Sequence, residues 1–190
     1  MKELEELISS NGKVISEKII DVSSFLNHMI DTSLMDKVGD SFCEKFSDSG
    51  ATKVLTAAVS GIPPALSVGT KLSVPVLFAR KSKPVTFKDE DVYFSTATSA
   101  TYGDVNNIYI KKEYIDSKDK ILIIDDFISD GYTIKALCEI VRQSGACLVG
   151  IGAVIEKTFV GGRSQFEPYG APIHSLAKIK SLGQGKISFE

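Results

Sequence analysis

Residues 121–144 constrain the fold of this chain more than any other segment. The four aliphatic residues 121–124 end abruptly in the paired acids Asp125 and Asp126. A short polar turn with a glycine follows, and an amphipathic helix is predicted over residues 133–144. A continuous apolar run bounded by a turn is typical of a strand buried in a parallel sheet. The segment therefore predicts a buried strand that delivers two carboxylates to its carboxyl end, next to a helix N-terminus.

The turn after the acids forms a predicted anion site. Free backbone N–H groups and the helix dipole at a helix N-terminus favour a phosphate. Carboxylates beside such a site suit a ligand with hydroxyls, a phosphate and a divalent cation, so the pattern points to a sugar phosphate. The alternative is a structural strand, turn and helix in which the acids serve as an N-cap. The segment has neither the lysine of a P-loop nor the three glycines of a dinucleotide-binding turn, so those two interpretations fail.

Composition and charge limit the classes of protein to which the chain can belong. With 190 residues, of which 43% are apolar, the chain suits one globular domain with a sizeable core. A net charge of −2 offers no basic excess for binding nucleic acid, so we expect no such partner. The charged first residues do not form a signal sequence, and no apolar run reaches membrane-spanning length. The widely spaced Cys43, Cys138 and Cys147 indicate reduced thiols and a cytoplasmic protein.

Alternating strand and helix patterns predict an α/β fold with a mostly parallel twisted sheet flanked by helices. Between two β-α-β units, the polar residues 81–107 lack helical periodicity, and we favour a mobile flap over a strand hairpin for them. Predicted strands cover residues 53–59, 75–80, 121–126, 148–155, 173–179 and 186–189. Predicted helices cover residues 2–10, 32 or 33 to 46, 63 or 64 to 72, and 133–144.

Other residues at predicted strand ends are candidates for ligand binding. Ser60 and Gly61 form a second strand-to-helix junction that can present backbone N–H groups to an anion, or an ordinary β-α turn. Arg80 and Lys81 end a strand, where they are either solvated or available to a phosphate. Lys157 follows the strand 148–155 and would lie near the ligand crevice of an open α/β sheet. Phe159, two residues on, either stacks on an aromatic base or covers the core.

The paired acids and the loop after them resemble the phosphoribosyl-pyrophosphate signature of type I phosphoribosyltransferases, in which two acids precede a loop that ends Gly-x-Thr. That resemblance implies that Asp125 and Asp126 hold the ribose hydroxyls. It also implies that the phosphate loop, residues 129–133, holds the 5′-phosphate. Ser60-Gly61 would be the pyrophosphate loop, and Arg80, Lys81 and Mg²⁺ would stabilise the pyrophosphate, with no metal held by protein side chains alone. The matched phosphate-loop residues are Ser129, Asp130, Gly131, Tyr132 and Thr133.

Further segments carry a narrower resemblance: residues 22–28, 75–81, 121–127, 150–159, 178–182 and 185–189. Together, over about residues 1–189, they resemble the bacterial xanthine phosphoribosyltransferases within that family. The resemblance implies transfer of ribose 5-phosphate from phosphoribosyl pyrophosphate to xanthine, giving xanthosine 5′-monophosphate and pyrophosphate, by a homodimer. Ile20 and Asn27 would belong to a hood over the purine, and Lys157 would contact a purine oxygen, because lysine donates hydrogen bonds but cannot accept them. Hypoxanthine, guanine or adenine as the base, and a non-catalytic module that senses phosphoribosyl pyrophosphate, remain alternatives.

Three loops depart from the pattern of these enzymes. Ala58 and Val59 replace an acid and a serine before Ser60, and the phosphate loop contains Asp130 and Tyr132. The flexible loop, whose nearest match is residues 99–103, lacks its lysine. We expect a single domain over residues 1–190, with a core at about 35–156 and a hood at about 1–34 and 157–190.

Overall fold

The computed structural model describes residues 1–98, 105–183 and 185–190, and a six-stranded sheet forms its centre. The helices are α1 (Lys2–Asn11), α2 (Thr32–Phe46), α3 (Ile62–Leu72) and α4 (Tyr132–Ser144), and a π-helical turn covers Ser23–Asn27. The strands are β1 (Lys13–Val14), β2 (Ile20–Asp21), β3 (Lys53–Ala57), β4 (Val76–Ala79), β5 (Val92–Thr98), β6 (Val105–Lys111), β7 (Lys120–Ile128), β8 (Cys147–Lys157), β9 (Ile173–Gly183) and β10 (Lys186–Phe189).

The main sheet has the strand order β10-β9-β8-β7-β3-β4. Its strands run parallel except for β10, which pairs antiparallel with β9. The two β-α-β units thus meet where β3 pairs with β7, and the carboxyl ends of both strands lie at the same edge of the sheet. The sheet continues through residues 173–189, which we had assigned from the sequence to the hood.

Side chains from β7 alternate between two apolar cores, as expected for a strand buried on both faces. Leu122 and Ile124 pack with α1, α2 and α3 on one face. Ile121 and Ile123 pack on the other face with α4 and with residues of β5 and β6. All four are fully buried. This double burial is why the sequence shows a continuous apolar run rather than an alternating one.

The predicted helices and strands are confirmed, with small differences at their ends. Helix α2 begins after Asp31, whose side chain accepts hydrogen bonds from the backbone N–H groups of Ser33 and Leu34 at 2.9 and 3.0 Å. Such a cap satisfies two of the free donors at the helix start. Strand β3 ends at Ala57 rather than at residue 59, and strand β8 runs on to Lys157.

Our preference for a mobile flap over a hairpin at residues 81–107 was wrong for residues 92–98 and 105–107, which form strands. Strands β5 and β6 pair antiparallel over seven residue pairs, from Val92–Lys111 to Thr98–Val105. Ile108 and Ile110 bury their side chains against α4. The strands are therefore packed on one side, which the absence of helical periodicity in the sequence did not indicate. The match to the flexible loop, residues 99–103, lies outside the described residues. In the part of the chain that is described, no helix is long and apolar enough to cross a bilayer.

Candidate functional site

A cavity of about 170 Å³ opens at the carboxyl ends of β3 and β7. This is the edge where open parallel sheets bind ligands. Eight of the sequence-predicted residues line it: Ser60, Lys81, Asp125, Asp126, Ser129, Asp130, Gly131 and Thr133. The structure therefore brings together the acids, both predicted anion-binding turns and one of the two basic residues.

Asp125 and Asp126 are buried at the end of β7, with 5% and 8% of their surface exposed. The backbone N–H of Asp126 donates a hydrogen bond to Asp125 Oδ1 at 3.0 Å. Burial and the charge of Asp126 raise the pKa of Asp125 well above its usual value, and the ammonium of Lys81 opposes them only in part. Burial next to a like charge is costly unless a cation or a set of donors compensates it, and Gly131, not an acid, is the N-cap of the following helix, so this pair is a candidate ligand site.

The phosphate loop leads directly into the N-terminus of α4. Gly131 is the N-cap residue, with a left-handed φ of 80° and no side chain of its own that could cap the helix. Glycine adopts this conformation without strain. Gly131 and Thr133 line the cavity, and a helix start offers backbone N–H groups from which an anion can accept hydrogen bonds. Asp130 is compatible with this arrangement, because its carboxylate accepts a hydrogen bond from the backbone N–H of Tyr132 at 3.4 Å.

Ser60 and Gly61 lie at the second strand-to-helix junction, before the first turn of α3. Gly61 is the N-cap of that helix, and no side chain caps it. A Cβ on Gly61 would lie 2.4 Å from Asp125 Oδ1 and 2.1 Å from Thr56 Oγ1, so glycine is required by close approach to the acids. The Thr56 hydroxyl is buried, and it has no hydrogen-bond partner among the residues that the structure describes.

Arg80 and Lys81, which we grouped as one basic site, are separated by the structure. Lys81 lines the cavity with the acids. The guanidinium of Arg80 instead lies 6.0 Å from the centre of the Phe78 ring and borders a different cavity, together with Tyr109. Neighbouring residues at the end of a strand point to opposite faces of the sheet, so the separation follows from the strand itself.

The four predicted base-binding residues, all within the described ranges, lie outside the lining of this cavity. Lys157 is half-buried, and its ammonium donates to the carbonyl oxygen of Lys18 at 2.9 Å. Burial lowers the pKa of Lys157, while the charge of Asp130 opposes that effect. The lysine is thus held between the phosphate loop and the segment before β2. Ile20 is half-buried in β2, Asn27 is exposed at the end of the π-helical turn, and Phe159 is partly exposed just after β8.

One contact at the site has only a weak signal in the sequence. Gly162, part of a predicted turn, packs against the backbone of the phosphate loop, and a Cβ there would lie 2.2 Å from the carbonyl oxygen of Ser129. The dipeptide Gly161-Gly162 identifies a turn but not its partner. The next residue, Arg163, forms an ion pair with the buried Glu156, which we had not singled out as a pair.

Among the described residues, the side chains at this site offer only part of a divalent-cation site. In the described part of the chain, no three His, Cys, Asp or Glu side chains converge on one point. Mg²⁺ is commonly bound by one or two carboxylates together with substrate phosphates and water. Asp125 and Asp126 offer this kind of incomplete, oxygen-only set, and a cation would relieve the repulsion that raises the pKa of Asp125. The residues therefore fit Mg²⁺ that arrives with a phosphorylated substrate.

Comparisons with known proteins agree with this geometry. Xanthine phosphoribosyltransferase from Pseudomonas entomophila is 42% identical over 189 residues, which cover 100% of this chain and 99% of that protein. The Pseudomonas aeruginosa PAO1 protein of the same name is 43% identical over 98% of this chain and 97% of its own.

Solved structures show the same fold at low sequence identity. Adenine phosphoribosyltransferase from Rhodothermus marinus superposes with a TM-score of 0.77 at 21% identity, covering 94% of this chain and 100% of that one. The Trypanosoma brucei adenine enzyme, solved with AMP, pyrophosphate and ribose 5-phosphate, gives 0.75 at 17% identity, with 92% and 79% coverage. The model of the phosphoribosyl transferase domain matches residues 33–169. The chain belongs to the phosphoribosyltransferase family.

Proposed function

We propose that this protein is a xanthine phosphoribosyltransferase of purine salvage, which transfers ribose 5-phosphate from phosphoribosyl pyrophosphate to xanthine. The observation that carries the proposal is the burial of two adjacent carboxylates, Asp125 and Asp126, in a cavity bordered by two helix N-termini whose N-cap residues are glycines. The full-length identity of 42–43% to xanthine phosphoribosyltransferases supports the choice of base.

The ribose 5-phosphate is held by the acids and the phosphate loop. Asp125 and Asp126 accept hydrogen bonds from the ribose hydroxyls, which orients the anomeric carbon and supplies donors that these carboxylates need. Backbone N–H groups of residues 129–133 and the dipole of α4 bind the 5′-phosphate. Because both groups are fixed by buried backbone, the ribose is positioned before the reaction begins.

The pyrophosphate leaves from the opposite side of the ribose. Negative charge accumulates on it in the transition state, and Lys81 with the N–H groups near Ser60 and Gly61 stabilises that charge. Mg²⁺, when bound with the substrate, neutralises further phosphate charge. Arg80 faces another cavity, so its contribution requires its side chain to turn toward the site when substrate binds. Positioning and charge then account for the rate, without an acid–base residue on the protein.

The base binds between the phosphate loop and the N-terminal segment. Lys157 donates to a purine carbonyl after exchanging its bond to the carbonyl oxygen of Lys18, a donor that suits an oxopurine better than the amino group of adenine. Phe159 stacks on the ring, and Ile20 and Asn27 cover it from the hood. We also propose a homodimer and a cytoplasmic location; all three cysteines are free thiols, which is compatible with a reducing compartment.

The proposal is tested with purified protein, phosphoribosyl pyrophosphate, Mg²⁺ and a panel of xanthine, hypoxanthine, guanine and adenine. We expect the highest kcat/KM with xanthine, and loss of turnover in a Asp125→Asn/Asp126→Asn double variant whose far-UV circular dichroism is unchanged. Preference for another base would reassign the substrate within the family. Tight binding of phosphoribosyl pyrophosphate by calorimetry, with no turnover of any base, would favour the sensing module.

A further inference from the structure

The turn at Gly162 and the phosphate loop touch through their backbones. A Cβ on Gly162 would lie 2.2 Å from the carbonyl oxygen of Ser129 and 2.6 Å from the nitrogen of Gly131. The contact is reciprocal, since a Cβ on Gly131 would lie 2.2 Å from the carbonyl oxygen of Gly162. Backbone atoms cannot move aside as the end of a flexible side chain can. The position of the turn therefore sets the position of the phosphate loop.

A buried ion pair fixes that turn. Arg163 donates from Nε to Glu156 Oε1 at 2.9 Å and from its terminal nitrogen to Oε2, which makes the contact bidentate. Glu156 is 2% exposed near the end of β8, and the Ser175 hydroxyl of β9 also donates to it. Burial acts to raise the pKa of Glu156, but the hydrogen bonds from Arg163 and Ser175 outweigh it and lower the pKa. The carboxylate is thus charged and fully engaged, so it holds the guanidinium in one geometry.

The same segment is anchored at a second point, on the side of α4. Phe166 is fully buried, and its ring lies 3.0 Å from the Cβ position of Gly131. Tyr169 donates its hydroxyl proton to Glu139 of α4. These contacts hold the segment against the helix, whereas the ion pair holds it against the sheet. The phosphate loop lies between the two.

We propose that Arg163 is a positioning residue for phosphoribosyl pyrophosphate: through its ion pair with Glu156 it holds Gly162 against the phosphate loop and so fixes the N–H groups that bind the 5′-phosphate. This deepens the proposed function and rests on it. Arg163 acts through the turn and does not touch the substrate. Phosphate binding by backbone N–H groups requires their alignment, so a small displacement of the loop weakens it.

The first test changes the contact and leaves the ion pair intact. Gly162→Ala introduces a methyl group where the backbone of the loop lies, without backbone strain, because the φ of Gly162 is outside the left-handed region. Gly183→Ala is the matched control, since its Cβ meets nothing within 4 Å and its φ is likewise ordinary. We expect Gly162→Ala to raise the KM for phosphoribosyl pyrophosphate about tenfold, with a smaller change in the KM for xanthine. Gly183→Ala leaves both values unchanged.

The second test removes the guanidinium. Arg163→Met leaves a buried charge, so it is paired with Lys53→Met, which removes the cation of a comparable ion pair. The cationic side chains of the two pairs are equally exposed, at 27%, and their acids are 3% and 10% exposed. Both variants lose stability, but only Arg163→Met raises the KM for phosphoribosyl pyrophosphate. In Arg163→Lys, which keeps a cation, the KM lies between the values of Arg163→Met and the wild type. If Arg163→Met does not fold, Glu156→Gln/Arg163→Met removes the uncompensated charge.

Calorimetry with ribose 5-phosphate separates this inference from the proposed function, because it needs no turnover. We expect the Kd of ribose 5-phosphate to rise about tenfold in Gly162→Ala. The inference is overturned if Gly162→Ala matches Gly183→Ala in KM and in Kd, or if Arg163→Met matches Lys53→Met in KM. A wild-type protein that binds ribose 5-phosphate but turns over no base would contradict the proposed function alone. A wild-type protein that binds no ribose 5-phosphate would contradict both.

Discussion

The two ends of strand β7 carry buried acids in opposite circumstances. At the amino end, Asp119 accepts hydrogen bonds from the ammonium of Lys53 at 2.7 Å, the backbone N–H of Asp116 at 3.0 Å and the Thr52 hydroxyl at 3.1 Å. Burial acts to raise the pKa of Asp119, but these donors outweigh it and lower the pKa. At the carboxyl end, burial and a neighbouring acid raise the pKa of Asp125. With their backbone atoms included, both acids are less than a tenth exposed.

The difference shows which acid the fold needs and which acid the ligand needs. Asp119 stabilises the folded chain, since its charge is compensated by protein donors alone. Ionised Asp125 destabilises the fold, since its charge is buried and opposed by Asp126, and Lys81 offsets these effects only in part. Perturbed groups of this second kind concentrate at functional sites. The hydroxyls of the substrate and its accompanying cation supply the hydrogen-bond donors and the positive charge that the protein does not provide to Asp125.

The largest expected effect comes from neutralising Asp125. Asp125→Asn keeps the acceptor for the N–H of Asp126 but removes the charge, so we expect kcat/KM with xanthine to fall about 100-fold or more. The same change relieves the repulsion, so the free energy of unfolding rises by about 1 kcal/mol and the melting temperature by about 2–4 °C. Steady-state kinetics and differential scanning calorimetry on one preparation measure both.

Asp119→Asn is the control and should give the reverse pattern, with a lower melting temperature and unchanged kinetics. Equal shifts in the melting temperatures of Asp125→Asn and Asp119→Asn would contradict the distinction between the two ends of β7.

Breaking the pair at the amino end should cost stability without touching the reaction. Lys53→Met leaves Asp119 buried without its cation, and we expect the free energy of unfolding to fall by about 3 kcal/mol. Below the new melting temperature, kcat/KM should equal that of the wild type, because Lys53 lies at the far end of the sheet from the cavity. Lys53→Arg keeps a cation and should recover most of the stability. Chemical unfolding in urea measures the loss of unfolding free energy. A fall in kcat/KM under conditions where the variant is fully folded would show that the amino end of β7 also affects the reaction.

The carboxyl-end half of this contrast could be predicted from the sequence, because it follows local patterns, whereas the role of Asp119 was not predicted. The apolar run before Asp125 predicted the buried strand, and the glycine after it predicted the turn into α4. The identity of the phosphate loop came from its resemblance to a family motif. All of these signals lie within about one segment of chain, where periodicity and turn chemistry are informative.

The parts that could not be predicted are contacts between segments distant in sequence. Nothing near Arg163 shows that it binds Glu156, and nothing near Gly162 shows that it packs on Ser129. Strand β6 was missed because its apolar residues pair with β5 and pack on α4, partners that a one-dimensional pattern does not contain. Arg80 was grouped with Lys81 by adjacency, although neighbouring side chains at a strand end face opposite sides.

The pH dependence of stability provides a smaller and sharper test of the two ends. Folding raises the pKa of Asp125, so the folded state holds that proton more tightly, and ionisation destabilises the fold once the pH exceeds the unfolded value of about 3.9. The melting advantage of Asp125→Asn should therefore be absent near pH 3 and grow as the pH rises, until Asp125 is ionised in the folded protein. Folding lowers the pKa of Asp119, so its contribution is present above the unfolded value and is lost as the pH falls. In scanning calorimetry from pH 3 to 8, the deficit of Asp119→Asn should be complete once the pH exceeds the unfolded value of about 3.9, whereas the advantage of Asp125→Asn should grow only above that value. A pH-independent advantage would show that the repulsion is not the cause.

Variants of Asp130 test whether an acid at the carboxyl end of β7 can lie beside the site without binding the ligand. Its carboxylate accepts from the N–H of Tyr132 and acts to raise the pKa of Lys157, yet it also places negative charge beside the proposed phosphate site. Asp130→Asn keeps an acceptor for Tyr132 and removes the charge, so we expect the KM for phosphoribosyl pyrophosphate to fall about two- to fivefold, the size of one partly screened repulsion. Lys157 should then lose its proton at a lower pH, which shifts the alkaline limb of kcat/KM for xanthine downward. Asp130→Glu retains the charge and is the control, with both values close to wild type. If Asp130→Asn instead raises the KM for phosphoribosyl pyrophosphate, the carboxylate supports the loop more than it repels the substrate, and Asp130 belongs with Asp119 among the acids that the fold requires.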